Sequence, residues 1–256
     1  MGFVQNQSCA LFLVLVLLPV SIILGCEERF QSTKAVYYIT SDGLGTPNGA
    51  CGYGEYGRTI NDGCVAATSA FYNGGAGCGA CYKVRCKKTE CNPEGVLVVV
   101  TDHGGAGDAD FIMSAKAFNK MAQPGFEKEL MTYGKVDIEY RRVPCQYPGK
   151  TLTLKVTENS NYNSYLSLQF LYQAGSAEIT AVEVFEEETQ KWRPCRRAYG
   201  AVWDMPSPPK GPLTVRFFLD GSSEHVKPRW VLVPTVIPAF WQPGATYDTE
   251  IQLDEY

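Results

Sequence analysis

Seven cysteines are crowded into one stretch of this 256-residue chain, and they constrain its fold more than any other feature. They lie at positions 51, 64, 78, 81, 86, 91 and 145, among glycine-rich turns. Cys78 and Cys81 have the C-x2-C spacing of half a zinc knuckle, but the next pair follows too closely and no histidine joins it. In an oxidising compartment the same crowding indicates disulfide bonds that hold a loop-rich domain together, although spacing alone does not choose the pairs.

The N-terminal residues 1–25 are predicted to be a secretory signal peptide. Residues 10–25 are apolar, contain one proline and end in small residues, so they are short for a membrane span and fit the apolar core of a signal. Residues 1–9 contain no Lys or Arg, which leaves an uncleaved anchor as the alternative. We expect a secreted, extracellular protein without membrane association after cleavage.

The charge pattern gives no sign of nucleic acid or an anionic membrane as a partner. The chain has 23 Lys and Arg residues and 27 Asp and Glu residues, which are interspersed rather than grouped into long basic runs. The resulting net charge of −4 favours a neutral ligand, because polyanions bind to clustered positive charge. We expect a monomer, and the sequence predicts no metal and no cofactor.

Turn and strand signals divide the chain into two halves, joined at residues 145–150. In the first half, a helix is predicted at 114–122, with Ser114 placed to cap it. Short strands between glycine-rich turns, typical of a β-barrel, are predicted at 82–86, 96–102 and 136–143.

The second half has strand segments at near-regular intervals, which is the pattern of a β-sandwich. These segments are residues 151–156, 164–173, 178–187, 213–220 and 230–237. We therefore predict a mainly all-β chain with a signal peptide at 1–25, a barrel domain at 26–148 and a sandwich domain at 149–256.

Aromatic residues in the second half suggest a binding surface. Alternation in residues 164–170 places Tyr165 on the polar face of a strand, and if residues 197–205 are extended, Tyr199 and Trp203 share a face. Exposed flat rings suit stacking against sugar rings. We expect Tyr165, Tyr199 and Trp203 to form one exposed carbohydrate-binding platform. The other tryptophans are expected to serve packing: Trp192, Trp230 and Trp241.

Carboxylates follow the apolar strand at 96–102 and raise the question of an acid/base site. Asp102 ends the strand, and Asp108, Asp110 and Ile112 follow at spacing two, which places them on one face of an extended chain. Ile112 cannot carry a proton. The face therefore ends without a carboxylate.

The order of motifs along the chain resembles a plant expansin, with the greatest similarity to the expansin-like B subgroup. These motifs are GACGYG, GCGACYKVRC, VLVVVTD, DFIMSAKAF, VDIEYRRVPCQYPG, YGAVW, KGPLTVRF and VIPAFWQPGATY, and they extend over nearly all of residues 35–250. The resemblance implies a six-stranded double-psi β-barrel related to family-45 endoglucanases, followed by an immunoglobulin-like β-sandwich carbohydrate-binding module. It also implies a plant cell-wall protein that loosens contacts between polysaccharides without cutting chains.

The resemblance further implies which cysteines pair. The implied disulfide bonds are Cys51 with Cys78, Cys81 with Cys145, and Cys86 with Cys91. Cys64 and Cys195 are left over, one in each domain, either as buried thiols or as an extra bridge.

The chain departs from the family pattern at its acidic residues. The family keeps one Asp in the strand before the loop, which Asp102 matches, and a second in a His-Phe-Asp motif, where Ile112 stands here. A threonine usual in the first strand is replaced by Val36. Because inverting glycoside hydrolysis needs two carboxyl groups, we expect no catalytic residue, with Asp102 and Asp110 as vestigial groove residues.

The expected partner is therefore a cell-wall polysaccharide, cellulose or hemicellulose, that is bound and loosened without hydrolysis. Two alternatives stay open. One is a weak hydrolase that uses Asp102 with Asp108 or Asp110. The other is a module that binds walls without loosening them.

Overall fold

The computed structural model describes residues 29–221 and 227–253, without the side chains of residues 234–236. The predicted signal peptide at 1–25 lies outside these residues. The longest helices in the described ranges have six residues. None of the helices there is long and apolar enough to cross a bilayer.

The first half of the described chain forms a closed barrel of six strands. The strands are β1 (Gln31–Tyr38), β2 (Val65–Ala67), β3 (Cys81–Cys86), β4 (Val96–Asp102), β5 (Phe111–Ser114) and β6 (Lys135–Val143). Around the barrel they follow the order β1-β5-β2-β4-β3-β6. Side chains alternate between the two faces of each strand, so Ala35, Phe111 and Met113 are fully buried inside the barrel.

Within the described residues, three short α-helices accompany the barrel: α1 (Glu55–Thr59), α2 (Ala115–Lys120) and α3 (Glu127–Thr132). The predicted helix is α2, and Ser114 caps it as expected, since its Oγ accepts a hydrogen bond from the Ala117 amide at 3.2 Å. The helix α3 was not predicted from the sequence. It is held against the barrel core by Leu130, which is fully buried.

The barrel also holds the disulfide bonds of the described chain. Cys51 is bonded to Cys78, Cys81 to Cys145, and Cys86 to Cys91, which are the pairs that the resemblance implies. Among the described cysteines, the free ones are Cys64 and Cys195, and both are buried thiols. They lie in different domains, so the structure contains no extra bridge between them.

The second half forms a β-sandwich of two sheets. The strands are β7 (Thr153–Val156), β8 (Tyr165–Leu171), β9 (Glu178–Glu186), β10 (Lys191–Pro194), β11 (Arg196–Tyr199), β12 (Val202–Pro206), β13 (Leu213–Asp220), β14 (Arg229–Ile237) and β15 (Thr246–Asp248). One sheet has the order β10-β9-β13-β14 and the other β11-β12-β8-β7-β15. The predicted fold class, a mainly all-β barrel followed by a β-sandwich, is confirmed.

Three of the four tryptophans have clear packing roles. Trp241 is 2% exposed and belongs to the sandwich core. Trp192 and Trp230 lie on either side of the Arg216 guanidinium, with ring centroids at 4.2 and 4.3 Å, on the outer face of the four-stranded sheet. Cation–π contacts of this kind stabilise the guanidinium between the rings.

The two domains contact each other through the five-stranded sheet. Leu171 at the end of β8 packs into the barrel core, and the Tyr172 amide donates a hydrogen bond to the Tyr56 hydroxyl at 2.8 Å. The Gln169 Nε2 donates to the Gly52 carbonyl at 2.7 Å. Part of the polar face of β8 is therefore covered by the barrel.

Candidate functional site

Four neighbouring barrel strands align a row of side chains, of which Ala67 is buried and the others are half-buried. In the strand register, Asp102 of β4 pairs with Ala67 of β2, Ala67 pairs with Ile112 of β5, and Ile112 pairs with Val36 of β1. We call these four residues the Asp102 row. Adjacent strands lie about 4.8 Å apart, so the backbones at Asp102 and Ile112 are separated by about 10 Å. The two departures from the family pattern, Ile112 and Val36, thus stand in the same row as Asp102.

Asp102 is half-buried and is held in place by backbone amides. Its Oδ1 accepts hydrogen bonds from the amides of Ala50 at 2.6 Å and His103 at 2.8 Å. Burial and the nearby Asp102 carboxylate raise the pKa of Tyr38 to about 12, so this phenol stays neutral beside the acid. The exposed His103 ring lies 4.7 Å from the Tyr72 ring, between centroids.

The expectation that Asp108, Asp110 and Ile112 share one extended face is wrong. Residues 106–109 form a turn, closed by a bridge between Ala106 and Ala109, and β5 begins only at Phe111. The turn breaks the two-residue repeat on which the expectation depended.

Asp108 and Asp110 bind partners outside the Asp102 row. The Asp108 carboxylate accepts hydrogen bonds from Lys34 at 2.5 Å and Lys135 at 2.7 Å. Hydrogen bonds from Lys135 and Lys34 hold the pKa of Asp108 well below its usual range. The Asp110 Oδ2 accepts a hydrogen bond from the Thr33 hydroxyl at 2.6 Å.

A second polar group lies on the outer face of the sandwich, on β8, β11 and β12. The Asp204 side chain is 2% exposed and accepts two hydrogen bonds from Arg196, at 3.0 and 2.6 Å, and one from the Tyr165 hydroxyl at 2.8 Å. The hydrogen bonds from Arg196 lower the pKa of Asp204. The Arg196 side chain itself is 77% exposed. A buried carboxylate therefore fixes a flat guanidinium and a phenol at the surface.

The three predicted platform rings are not all exposed. Tyr199 is 50% exposed and Tyr165 is half-buried, but Trp203 is only 4% exposed. The expectation of one exposed platform of three rings is therefore wrong for Trp203. Trp192, on the opposite sheet, does not replace it.

Trp203 is buried because the chain forms a hairpin at this point, which the alternation of the sequence does not indicate. Residues 197–205 are not one extended segment, because Gly200, with φ of 46°, turns the chain between β11 and β12. Tyr199 pairs with Val202 across the hairpin, so the next residue, Trp203, points to the other face of the sheet. There it packs in the sandwich core, under the Arg197 guanidinium at 4.2 Å from the ring centroid.

A short barrel segment, residues 50–52, connects the Asp102 row with Tyr199. Its Ala50 amide binds Asp102, and its Cys51 carbonyl accepts a hydrogen bond from the Ala201 amide at 3.0 Å. A Cβ added at Gly52 would lie 2.7 Å from the Tyr199 ring, so only glycine permits this contact. Direct contacts through residues 50–52 therefore link Asp102 of the barrel to the exposed Tyr199 of the sandwich.

The two domains together offer one carboxylate, one guanidinium and two phenol rings, which suit hydrogen bonding and stacking with a sugar chain. These groups belong to Asp102, Arg196, Tyr165 and Tyr199. In the ranges that the structure covers, no group of three His, Cys, Asp or Glu side chains is placed to hold a metal ion. Arg196, Asp204 and Gly52 were not predicted from the sequence as site residues. An acidic residue between Trp203 and Met205 in an apolar strand was the signal for a buried carboxylate that needs a partner.

Two family models match the chain. The model described as "Lytic transglycolase", a double-psi β-barrel model, matches residues 65–140, and the model described as "Expansin C-terminal domain" matches residues 152–238. The chain is 46% identical to Expansin-like B1 of Arabidopsis thaliana over 242 residues, which is 94% of each protein. It is 42% identical to Expansin-like B1 of Oryza sativa subsp. japonica over 229 residues, or 89% of this chain and 90% of that protein.

Solved structures with the same fold include an expansin from Clavibacter michiganensis. The crystal structure of its apo form has a TM-score of 0.65 and 24% identity, and covers 88% of this chain and 98% of that one. A mutant of that expansin in complex with cellohexaose has a TM-score of 0.63 and 24% identity, with 86% and 96% coverage. At this level of identity the likeness shows the fold.

Proposed function

Because the chain belongs to the expansin family, we propose that it is a secreted plant cell-wall protein that binds cellulose or hemicellulose and loosens their non-covalent contacts without hydrolysis. The predicted signal peptide at 1–25 supports secretion. The observation that carries the proposal is the link from Asp102, through residues 50–52, to the exposed Tyr199, which brings groups of both domains together on one side of the molecule. A glucan chain on this surface would contact both domains at once.

The geometry of the acidic residues supports binding without cutting. Inverting hydrolysis needs one protonated and one ionised carboxyl group on opposite sides of the bond. The neighbours of Asp102 in its row are apolar, Ala67 and Ile112. Asp108, whose pKa is held low by two lysines, is a poor proton donor. We therefore favour groove-lining roles for Asp102 and Asp110 over the weak hydrolase.

Sandwich residues provide the flat part of the surface. Tyr199 is exposed, and Tyr165 and Arg196 are fixed by Asp204, so little side-chain entropy is lost when a sugar chain packs on them. Stacking on such groups replaces contacts between neighbouring polysaccharide chains. Loosening then follows from binding alone, with no bond broken.

Binding isotherms on insoluble cellulose and xylan test this proposal. Each stacked ring contributes about 1 kcal/mol, so Tyr199→Ala should weaken binding about fivefold. Trp230→Ala is the matched control, because Trp230 is 40% exposed but lies on the opposite sheet. If Trp230→Ala lost binding and Tyr199→Ala did not, the binding surface would lie on the four-stranded sheet and the proposal would be refuted.

A further inference from the structure

Arg197 of β11 binds backbone carbonyls from three separate parts of the molecule. Its Nη1 donates hydrogen bonds to the Gly75 carbonyl of the barrel at 3.1 Å and to the Gly200 carbonyl at 2.7 Å. Its Nη2 donates to the Ile179 carbonyl of β9 at 2.5 Å. One half-buried guanidinium therefore joins the barrel, the hairpin turn between β11 and β12, and the four-stranded sheet.

The shape of the arginine side chain suits this position. Its guanidinium lies over the Trp203 ring, 4.2 Å from the ring centroid, so one flat face is stacked while the edge donates to the carbonyls. Hydrogen bonds from a charged donor are stronger than those between neutral groups. A lysine ammonium is a compact charge on a flexible stem, so lysine at this position would lose both the stacking and the fixed directions of the donors.

The barrel side of this contact leads to Asp102. The Gly75 amide donates a hydrogen bond to the Tyr72 carbonyl at 2.9 Å, and the Tyr72 hydroxyl donates to the Ala50 carbonyl at 3.2 Å. The Ala50 amide in turn binds the Asp102 carboxylate at 2.6 Å. The loop that Arg197 binds and the loop that orients Asp102 are therefore connected by hydrogen bonds.

The sandwich side of the contact leads to Tyr199, because Gly200 is the next residue along the chain. A Cβ added at Gly75 would lie 2.3 Å from the Gly200 carbonyl oxygen, and one added at Gly200 would lie 2.4 Å from the Ala50 carbonyl oxygen. The two glycines thus allow the barrel loops and the hairpin turn to touch backbone to backbone. Arg197 is bonded to both partners of this contact.

We propose that Arg197 is a positioning residue that fixes Asp102 of the barrel relative to Tyr199 of the sandwich, so that one polysaccharide chain contacts both. This inference rests on the proposed function and assigns a task to the contact between the domains. Two sets of contacts strengthen each other only when the geometry lets both engage one ligand. Domains that are fixed before the ligand arrives also lose less entropy on binding.

The first test is calorimetric titration of the full mature chain with cellohexaose. We expect Arg197→Lys to bind this ligand about tenfold more weakly than the parent, because the two domains no longer hold one chain together. Arg216→Lys is the matched control and should keep the parent affinity. It also removes a stacked arginine of the sandwich, but Arg216 contacts Trp192, Trp230 and Glu183 of the four-stranded sheet.

A second substitution separates positioning from a loss of stability. In the parent, Asp102→Asn should weaken cellohexaose binding about fivefold, because a charged hydrogen-bond acceptor is lost. In the Arg197→Lys background the same change should have no effect, because the barrel no longer contacts the bound chain. An arginine that only stabilised the fold would leave the cost of Asp102→Asn equal in both backgrounds.

Small-angle X-ray scattering measures the arrangement of the domains without a ligand. The largest dimension of Arg197→Lys should exceed that of the parent and of Arg216→Lys. If Arg197→Lys does not fold, Gly75→Ala takes its place, because the added Cβ opens the same contact from the barrel side. It should show the same weaker binding and the same loss of the Asp102→Asn effect.

Three results would overturn the inference while the proposed function stands. These are a cellohexaose affinity of Arg197→Lys equal to that of the parent, an equal loss in Arg216→Lys, and an equal cost of Asp102→Asn in both backgrounds. If the parent does not bind cellohexaose, the proposed function fails and scattering decides. A larger dimension of Arg197→Lys then supports its role in fixing the domains, and unchanged scattering refutes it.

Discussion

Within the described residues, the barrel contains all three disulfide bonds, whereas the sandwich has none and contains all four tryptophans. The barrel has long irregular loops between short strands, and covalent links compensate for the limited regular structure. The sandwich has long alternating strands that bury a continuous apolar core, so packing is sufficient. The barrel is thus stabilised by covalent cross-links and the sandwich by the packing of its core.

The same difference recurs at the binding surface. The barrel contributes Asp102, which is oriented by the backbone amides of a loop that the Cys51–Cys78 bond fixes. The sandwich contributes side chains, Tyr165 and Arg196, that are oriented by one buried carboxylate. Disulfide removal should therefore affect one part of the site, and core mutation the other.

The largest expected effect is removal of the Cys81–Cys145 bond, which spans 64 residues. Cys81→Ser/Cys145→Ser should lower the free energy of unfolding of the barrel by about 4 kcal/mol, because the unfolded chain gains the entropy of a long open loop. Cys86→Ser/Cys91→Ser opens a span of only 5 residues and should cost about 2 kcal/mol.

Chemical denaturation followed by two probes measures this difference. Tryptophan fluorescence reports on the sandwich alone, since every tryptophan lies there, whereas far-ultraviolet circular dichroism reports on both domains. The fluorescence midpoint should move less than the circular dichroism midpoint. Identical shifts in both probes would show that the two domains unfold as one unit and are not stabilised separately.

The next effect concerns Trp203 and Tyr199, two rings in neighbouring strands of one hairpin. Trp203→Ala should destabilise the sandwich by about 3 kcal/mol, because it leaves a cavity in the core. Tyr199→Ala should change stability by less than about 1 kcal/mol while weakening cellulose binding. Thermal unfolding and binding are measured on the same samples. If the Trp203→Ala protein were fully stable but no longer bound cellulose, Trp203 would belong to the binding surface, as predicted from the sequence.

Much of the fold was predictable because periodicity and turn residues were local. The strands β4, β6, β9 and β13 lie where alternation and apolar runs placed them, and Ser114 begins α2 as predicted. The helix α3 was missed because it has one fully buried apolar position, Leu130, which gives no clear helical period.

The site was only partly predictable, because its key contacts join distant residues. The position of Trp203 was predicted wrongly because of Gly200. This residue forms a turn between two short strands, and a turn changes which residues share a face, so alternation in the sequence no longer predicts the face beyond it. Asp102 was identified from its place at a strand end. Its link to Tyr199 through Gly52 depends on the packing of two domains, which no local pattern encodes.

A smaller effect is expected from pH, acting on Asp204. Hydrogen bonds from Arg196 and Tyr165 lower the pKa of Asp204 in the folded protein, below the value of about 3.9 for an unfolded Asp. The ionised carboxylate therefore stabilises the fold above pH about 4, and this stability is lost as the pH falls through the folded pKa.

The variant Asp204→Asn should be about 1 to 3 kcal/mol less stable than the parent near neutral pH, and the gap should close toward pH about 3. Urea unfolding across this range measures it. The control is Asp220→Asn, at an exposed position of the same domain, which should differ little from the parent at any pH. A gap that widens on acidification would reverse the sign of the pKa shift and contradict the role of Arg196.

Whether the protein loosens walls without hydrolysis is tested by extending heat-inactivated plant cell walls under constant load, with soluble sugars and reducing ends measured in the same sample. We expect the protein to extend the walls, Tyr199→Ala to extend them less, and neither protein to release sugar. Reducing ends released by the parent and lost in Asp102→Asn would contradict this expectation, because hydrolysis would then need a second carboxylate that the Asp102 row does not contain.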